Sequence, residues 1–461
     1  MNRRGLICSE NGCKKRCWRI KNRQKHIWNH MVYSLYNLLL LLSALFLVPY
    51  YLLRGLRYGK SRRGIRERLG LYSSEQLSAI QSKRTIWVHA VSVGETRAAM
   101  TLIKQFRLKY PEFQILVTNV TETGHAVALK AKEVDLCLFF PFDFSWAVRR
   151  ALNTVNPELI IIVETELWPN FITQASQSNI PMILVNGRIS DRSFPRYRCG
   201  RFLLKPILER FSAFCMQSQI DAERIAVLGA PDGRVENTGN LKFDHDLKKV
   251  TAIQVQQQKE QYRLPQQVAI FVAGSTHAGE EKQLLDAYRQ ISAQIDRELI
   301  LILIPRHPER KREVEALLKE SKFQYRLRSS LQKGDNLLSP GEVLLVDTLG
   351  EVLDFYSIAD LVFVGGSLVP IGGHNLLEAA LLAKPVIFGP FIQNFKEISA
   401  KLIRAGAGVK VTNQQGFVRQ SVILLNDPVR CRAMGEAGSS LIVENAGTTE
   451  RTMRHISKFL R

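Results

Sequence analysis

Twelve short apolar runs, spaced by helical patterns, constrain this chain more than any other feature. Six precede residue 218: Thr85–Val91, Gln114–Val120, Leu136–Phe142, Leu159–Thr165, Met182–Asn186 and Ala213–Gln217. Six follow residue 268: Ala269–Ser275, Leu299–Ile304, Val343–Asp347, Leu361–Val364, Val386–Gly389 and Gly408–Val411. Continuous apolar character suits strands buried on both faces, and strand–helix alternation builds parallel sheets covered by helices. The interruption is a polar stretch near Asp244–Lys249 and a Gln-rich helical segment, Gln254–Gln261. The expected fold class is α/β, with two Rossmann-like doubly wound domains. Their strand carboxyl ends should face a shared cleft, where such sheets bind ligands.

Charge is distributed unevenly. The 461 residues carry a formal charge of +22, yet residues 1–70 alone hold sixteen Lys and Arg against Glu10 and Glu67. An evenly basic nucleic-acid binder would not look like this, so nucleic acid is not an expected partner. The basic end brackets Met31–Leu53, a run of 23 residues without a formal charge. As a helix it would reach roughly 34 Å, enough to cross a hydrocarbon core of about 30 Å. Tyr33, Tyr36, Tyr50 and Tyr51 stand near its ends, where aromatic rings prefer the headgroup layer. A membrane-anchoring helix is expected there, spanning or interfacial. The basic collar Arg54 to Arg68 favours anionic lipids and a body on the cytoplasmic face of the membrane. The expected organisation is a basic tail over 1–30, the anchor over 31–53, a first domain over 54–245 and a second over 246–461.

Seven cysteines without disulfide-like spacing suit a reducing compartment. Cys8, Cys13 and Cys17 lack an obvious fourth zinc ligand, His26 and His30 being the only candidates nearby, and no metal site is expected. Asp244-His245-Asp246 spells a metal-binding pattern but reads as linker.

Residues able to do chemistry cluster at the strand ends. Ser92-Val93-Gly94-Glu95 follows the first run, and local sequence reads it equally as a helix-capping box or as a site carboxylate. Glu164 and Glu166, two residues apart at the end of a buried strand, are hard to explain as packing. Lys242 lies near the interdomain crossing, where a lone lysine is commonly a solvated charge. In the second half Leu361–Val364 empties into Gly365-Gly366-Ser367, and Gly372-Gly373-His374-Asn375 precedes the helical stretch Leu376–Leu382. Such glycines let backbone N–H groups approach an anion, and a helix N-terminus adds partial positive charge. Arg306, after Leu299–Ile304, can reach phosphate as a fork of donors, and Glu378 can accept from ribose hydroxyls.

His89-Ala-Val-Ser-Val-Gly-Glu95, Glu164-Thr-Glu-Leu-Trp-Pro-Asn170, Gly239-Asn-Leu-Lys-Phe-Asp244, Pro305-Arg-His-Pro-Glu-Arg310 and Val364-Gly-Gly-Ser-Leu368 with Gly372-Gly-His-Asn375 resemble the bacterial Kdo (3-deoxy-D-manno-octulosonic acid) transferases of lipopolysaccharide synthesis. The resemblance runs from about Val32 to the C-terminus. It implies a GT-B fold, with the acceptor site in the first domain and the CMP-Kdo site in the second. It further implies Glu95 as general base, with Glu164 and Lys242 stabilising the transition state. Pro305 and Arg306, then Leu349, Gly350 and Glu351, then Asn375, Leu376, Leu377 and Glu378 match the family's CMP-binding segments. Leu376 stands where the family often has proline. The implied partners are CMP-Kdo, the lipid A precursor lipid IVA and anionic lipids of the inner membrane. No cofactor or metal is implied, because the leaving group is a monophosphate. Two other readings stay open at the level of sequence: another GT-B enzyme such as a nucleotide-sugar epimerase, or a membrane-tethered scaffold that has lost catalysis.

Overall fold

A computed structural model describes residues 34, 36–43, 64–80, 83–244 and 250–460. The candidate zinc cysteines, most of Met31–Leu53, the collar Arg54–Arg63 and His245-Asp246 lie outside the described residues.

The chain divides into two compact units, residues 1–241 with 447–461, and residues 242–446. The first holds β1 (Thr85–His89), β2 (Gln114–Asn119), β3 (Leu136–Phe139), β4 (Leu159–Val163), β5 (Met182–Gly187), β6 (Ala213–Met216) and β7 (Val235–Asn237). They form one sheet in the order β3-β2-β1-β4-β5-β6-β7, every neighbouring pair parallel. The second unit repeats the plan with β8 (Ala269–Thr276), β9 (Leu299–Pro305), β10 (Tyr325–Leu327), β11 (Val343–Leu345), β12 (Leu361–Val364), β13 (Val386–Phe388) and β14 (Gly408–Lys410). Its order is β10-β11-β9-β8-β12-β13-β14, again all parallel. Each unit packs apolar side chains on both sheet faces, as continuous apolar strands require.

The two doubly wound sheets agree with the expected fold class. Strand β7 and strand β10 were not expected. Both are three-residue edge strands, half exposed, so they carry no apolar run to read. Some strands also end sooner than their apolar runs. Leu159–Thr165 stops pairing at Val163, because Glu164 has φ 61° and a left-handed residue cannot continue an extended ladder.

The domain boundaries need correction. The division falls at Leu241/Lys242 rather than 245/246, and residues 447–461, expected in the second domain, belong to the first. The reason is packing. The Thr448–Ser457 helix buries Met453 and Ile456 in the core beside the Val93–Lys109 helix, and Tyr110 Oη donates to Ser457 Oγ at 2.7 Å. Arg451 Nε also donates to the Thr238 carbonyl at 2.8 Å.

Within the expected anchor, residues 36–43 are helical. Tyr36 Oη donates to Asp143 Oδ2 at 2.8 Å, and the Asn170 amide donates to Asn37 Oδ1 at 2.8 Å. On this stretch Leu38, Leu39, Leu41 and Leu42 are 46–64% exposed. Among the described residues, no helix is long and apolar enough to cross a membrane.

Candidate active site

In each sheet the strand order reverses beside the first strand, between β1 and β4 and between β8 and β12. Loops leaving such a pair diverge to opposite faces and open a crevice, the usual ligand position in doubly wound sheets. Glu95 and Glu164 follow β1 and β4. His277 and the Gly365–His374 loop follow β8 and β12.

Glu95 opens the Val93–Lys109 helix, and the capping box is present in full. Ser92 Oγ accepts from the Glu95 N–H at 3.5 Å and donates to Glu95 Oε1 at 3.0 Å, while the Val91 N–H donates to Oε2 at 2.5 Å. The carboxylate is only 9% exposed. Burial, then the negative charge of Glu164, raises its pKa. Glu166 joins this cluster: burial first, then Glu95 and Glu164, push it up to about 7. Glu95 and Glu166 are thus both held above the ordinary carboxylate range by burial and like charge, and perturbed groups of this kind concentrate at catalytic sites.

The loop that carries Glu164 is held firmly. Its N–H donates to the Val185 carbonyl at 2.8 Å, and Thr165 Oγ1 bonds both the carbonyl and the N–H of Arg188. A non-glycine residue at φ 61° is strained, and its surroundings keep it there. His89, by contrast, is a core residue. It is fully buried, stacked on Phe140 at 3.7 Å and held neutral by burial, with its pKa down at about 3.

Lys242 is half-buried in a short 3-10 turn between Leu241, in the first unit's core, and Phe243, in the second's. The turn is fixed from the first unit by side-chain amides. Asn186 Oδ1 accepts from the Leu241 N–H at 3.0 Å, and Asn240 donates to Gln217 Oε1 at 2.9 Å. Asn186 and Gln217 were not singled out in the sequence, where isolated Asn and Gln carry no distinguishing pattern, whereas Asn240 falls within the Gly239–Asp244 segment.

In the second unit, the matched segments sit at the carboxyl ends of β9, β11 and β12. Pro305 ends β9, and the half-buried Arg306 hangs from it, its N–H donating to the Thr276 carbonyl at 2.9 Å. Leu349 is 77% exposed, and Gly350 has φ 89° with open space about it. Glu351 is gripped by Arg328 at 2.7 Å and by the Thr348 hydroxyl. Asn375 Nδ2 donates to Glu378 Oε1 at 3.1 Å, and Asn375 Oδ1 accepts from the Leu377 N–H at 3.2 Å. Leu376 and Leu377 are fully buried in the core, so only their backbone is left for a ligand. The helix they begin, Leu377–Leu381, is shorter than the expected Leu376–Leu382.

One expectation is overturned. The glycine-rich loop after β12 does bind an anion, but the anion is the protein's own Glu280 carboxylate. It accepts N–H groups from Gly366 (2.7 Å), Leu368 (2.8 Å), Ser367 (2.9 Å) and His277 (2.9 Å). Gly365 and Gly366 are needed for this approach: a Cβ on the first would overlap the Ser275 carbonyl, and the second has φ 67°. Those N–H groups are therefore occupied. Glu280 opens an ordinary amphipathic helix, Glu280–Ser292, and nothing in its local sequence distinguishes it from a surface acid. Among the described residues, no cluster of three or more His, Cys, Asp or Glu is placed to hold a metal ion.

Two doubly wound units, with carboxylates at the switch point of the first and the sequence-matched segments at the strand ends of the second, make a GT-B-like architecture. The overall fold is similar to the crystal structure of a glycosyltransferase from Rickettsia africae (TM-score 0.53, 14% identity, covering 82% of this chain and 98% of that one). A family model described as 3-deoxy-D-manno-octulosonic-acid transferase (kdotransferase) matches residues 63–245. The 3-deoxy-D-manno-octulosonic acid transferase of Haemophilus influenzae is 34% identical over 433 residues, 92% of this chain and 98% of that one. The bifunctional glycosyltransferase/methyltransferase of Fusobacterium nucleatum is 38% identical over 390 residues, 82% of this chain, which spans 59% of that longer protein. The chain belongs to the 3-deoxy-D-manno-octulosonic acid transferase family and is a glycosyltransferase.

Proposed function

We propose that this protein is an inverting transferase that moves Kdo from CMP-Kdo to lipid IVA, the lipid A precursor, in lipopolysaccharide synthesis. Glu95 takes the proton of the acceptor hydroxyl as that oxygen bonds the anomeric carbon of Kdo. The bond from that carbon to the phosphate oxygen breaks, and its electron pair leaves with CMP. Glu164 and Lys242 stabilise the charge that develops, while Pro305, Arg306, Leu349–Glu351 and Asn375–Glu378 hold CMP. The single observation that carries this reading is the raised, mutually repelling carboxylate cluster at the switch point of the first sheet, in a chain of this family. A general base works best when its pKa lies near the working pH, and a desolvated carboxylate meets that need.

Glu166 makes the cluster's pH response testable. Burial, together with the negative charges of Glu95 and Glu164, pushes its carboxyl up to about 7. Glu166→Gln should remove the ionisation near 7 from the rate–pH profile. An unchanged profile would place the titrating group elsewhere.

The body works at the inner membrane, on its cytoplasmic face, anchored through Met31–Leu53 and attracted to anionic lipids. The exposed leucines of residues 36–43 support this. So does a second exposed apolar group, Phe202 and Leu203, among the exposed Arg192, Arg196, Arg198 and Arg201. Basic residues near an anionic surface are worth about 1 kcal/mol each. The deciding experiment incubates membrane-bound protein with CMP-Kdo and lipid IVA and weighs the lipid product by mass spectrometry. Product heavier by one or more Kdo residues is expected. A chain lacking residues 1–53 should enter the soluble fraction in high salt, keep its CMP affinity and lose activity on the lipid. Absence of Kdo-bearing product from the full chain would sink the reading.

A further inference from the structure

We propose that His277 and His374 form a proton-sharing pair that grips the anionic phosphodiester of the sugar–nucleotide donor and takes up one proton on binding it. The inference rests on the donor-site reading above and assigns that site a phosphate contact beyond the matched segments. Position argues for it first. The two histidines leave β8 and β12, the neighbouring strands at the switch point of the second sheet. Geometry argues second. Their Nε2 atoms are 2.7 Å apart, and the rings are parallel within 2° with centroids 5.0 Å apart. At that distance one nitrogen must carry the hydrogen and the other must accept it.

The chemistry of the pair follows from counting protons. A neutral pair has one Nδ1–H and one bare Nδ1, since the ring that donates through Nε2 has no hydrogen on Nδ1. One further proton, added to that bare nitrogen, leaves the shared Nε2 bond intact and gives two Nδ1–H donors and a positive charge. Half-buried imidazoles in that state suit an anion, and histidine is the side chain able to change state near neutral pH.

The surroundings set the direction. Burial first, then His307, Arg310 and Arg306, lower the pKa of His277, while Glu281 acts the other way. The nearby acids are already engaged. Glu280 accepts four backbone N–H groups, Glu281 bonds Arg310 at 2.7 Å and Thr276 at 3.1 Å, and Glu378 accepts from Asn375. His277 is therefore held toward its neutral form in the free chain. A phosphodiester offsets the arginine charge and draws the proton in, so binding must tighten as pH falls.

The test is calorimetric titration of the full-length protein with CMP methyl ester, a phosphodiester with no group that titrates between about pH 5.5 and pH 8.5, in buffers of different ionisation heat. Uptake of about one proton per ester bound is expected near pH 7.5, with affinity falling up to about tenfold per pH unit above neutral. His277→Gln and His374→Gln should each abolish the uptake and flatten the profile while still binding the ester. Binding by the unaltered protein without proton uptake, or uptake that survives in a folded variant, overturns the pair. Failure of the unaltered protein to bind either the ester or CMP would instead overturn the donor-site reading itself.

Discussion

Glu95→Gln should leave a folded protein with unchanged CMP affinity and sugar transfer slowed roughly 10²- to 10⁴-fold, the usual worth of a positioned general base. The structure shows the capping box that its sequence allowed, in surroundings that also suit a site carboxylate. As the third residue of the Val93–Lys109 helix it closes a capping box with Ser92, and as a buried carboxylate beside Glu164 it has a raised pKa. Glutamine separates the two roles. Its carbonyl can take the Val91 N–H and its amide can bond the Ser92 hydroxyl, so the helix start should lose no more than about 1 kcal/mol. Melting temperature and single-turnover rate, measured on the same preparation, check the prediction. A variant that melts normally and still transfers Kdo at a near-normal rate would leave Glu95 a cap alone and move the base to Glu164 or Glu166.

Much of this site was legible in the chain because each piece is local. Ser92 and Glu95 are three residues apart, Glu164 and Glu166 two, and both groups end apolar runs that can only be buried strands. What the local pattern left undecided was whether these carboxylates meet. That depends on β1 lying next to β4, a pairing made across the intervening strand β2 and strand β3.

The second unit should depend on Glu280 to an extent its sequence does not suggest. Glu280→Ala would orphan four buried or half-buried N–H groups at once, those of His277, Gly366, Ser367 and Leu368. Each unsatisfied group costs about 1–3 kcal/mol, though not additively. A loss of about 3 kcal/mol or more is expected, which lowers the melting temperature of a unit this size by roughly 6–12 °C. CMP binding should weaken with it, since the loop also carries His374 and Asn375. Glu280→Gln keeps one carbonyl oxygen and should fall between. Thermal unfolding followed by calorimetry would show whether only one of two transitions moves. A Glu280→Ala protein that melts like the unaltered chain would mean that water satisfies the loop and the carboxylate is dispensable.

By itself the sequence determined the class of fold, the places where chemistry could occur and the family. Continuous apolar strands must be covered on both faces, helices are the cover that strand–helix alternation supplies, and loops at strand ends inherit the chemistry. Tertiary structure alone decided which groups act together. The glycine-rich loop looks ready for phosphate until Glu280, 86 residues earlier in the chain, is found occupying three of its N–H groups. Likewise His277 and His374 meet from 97 residues apart, and residues 447–461 return to the first unit after the chain has built the second. Apolar periodicity reports whether a residue is buried, but a carboxylate or an imidazole is read only through its partner. Which partner it finds is set by strand order, and strand order appears in no local stretch of sequence.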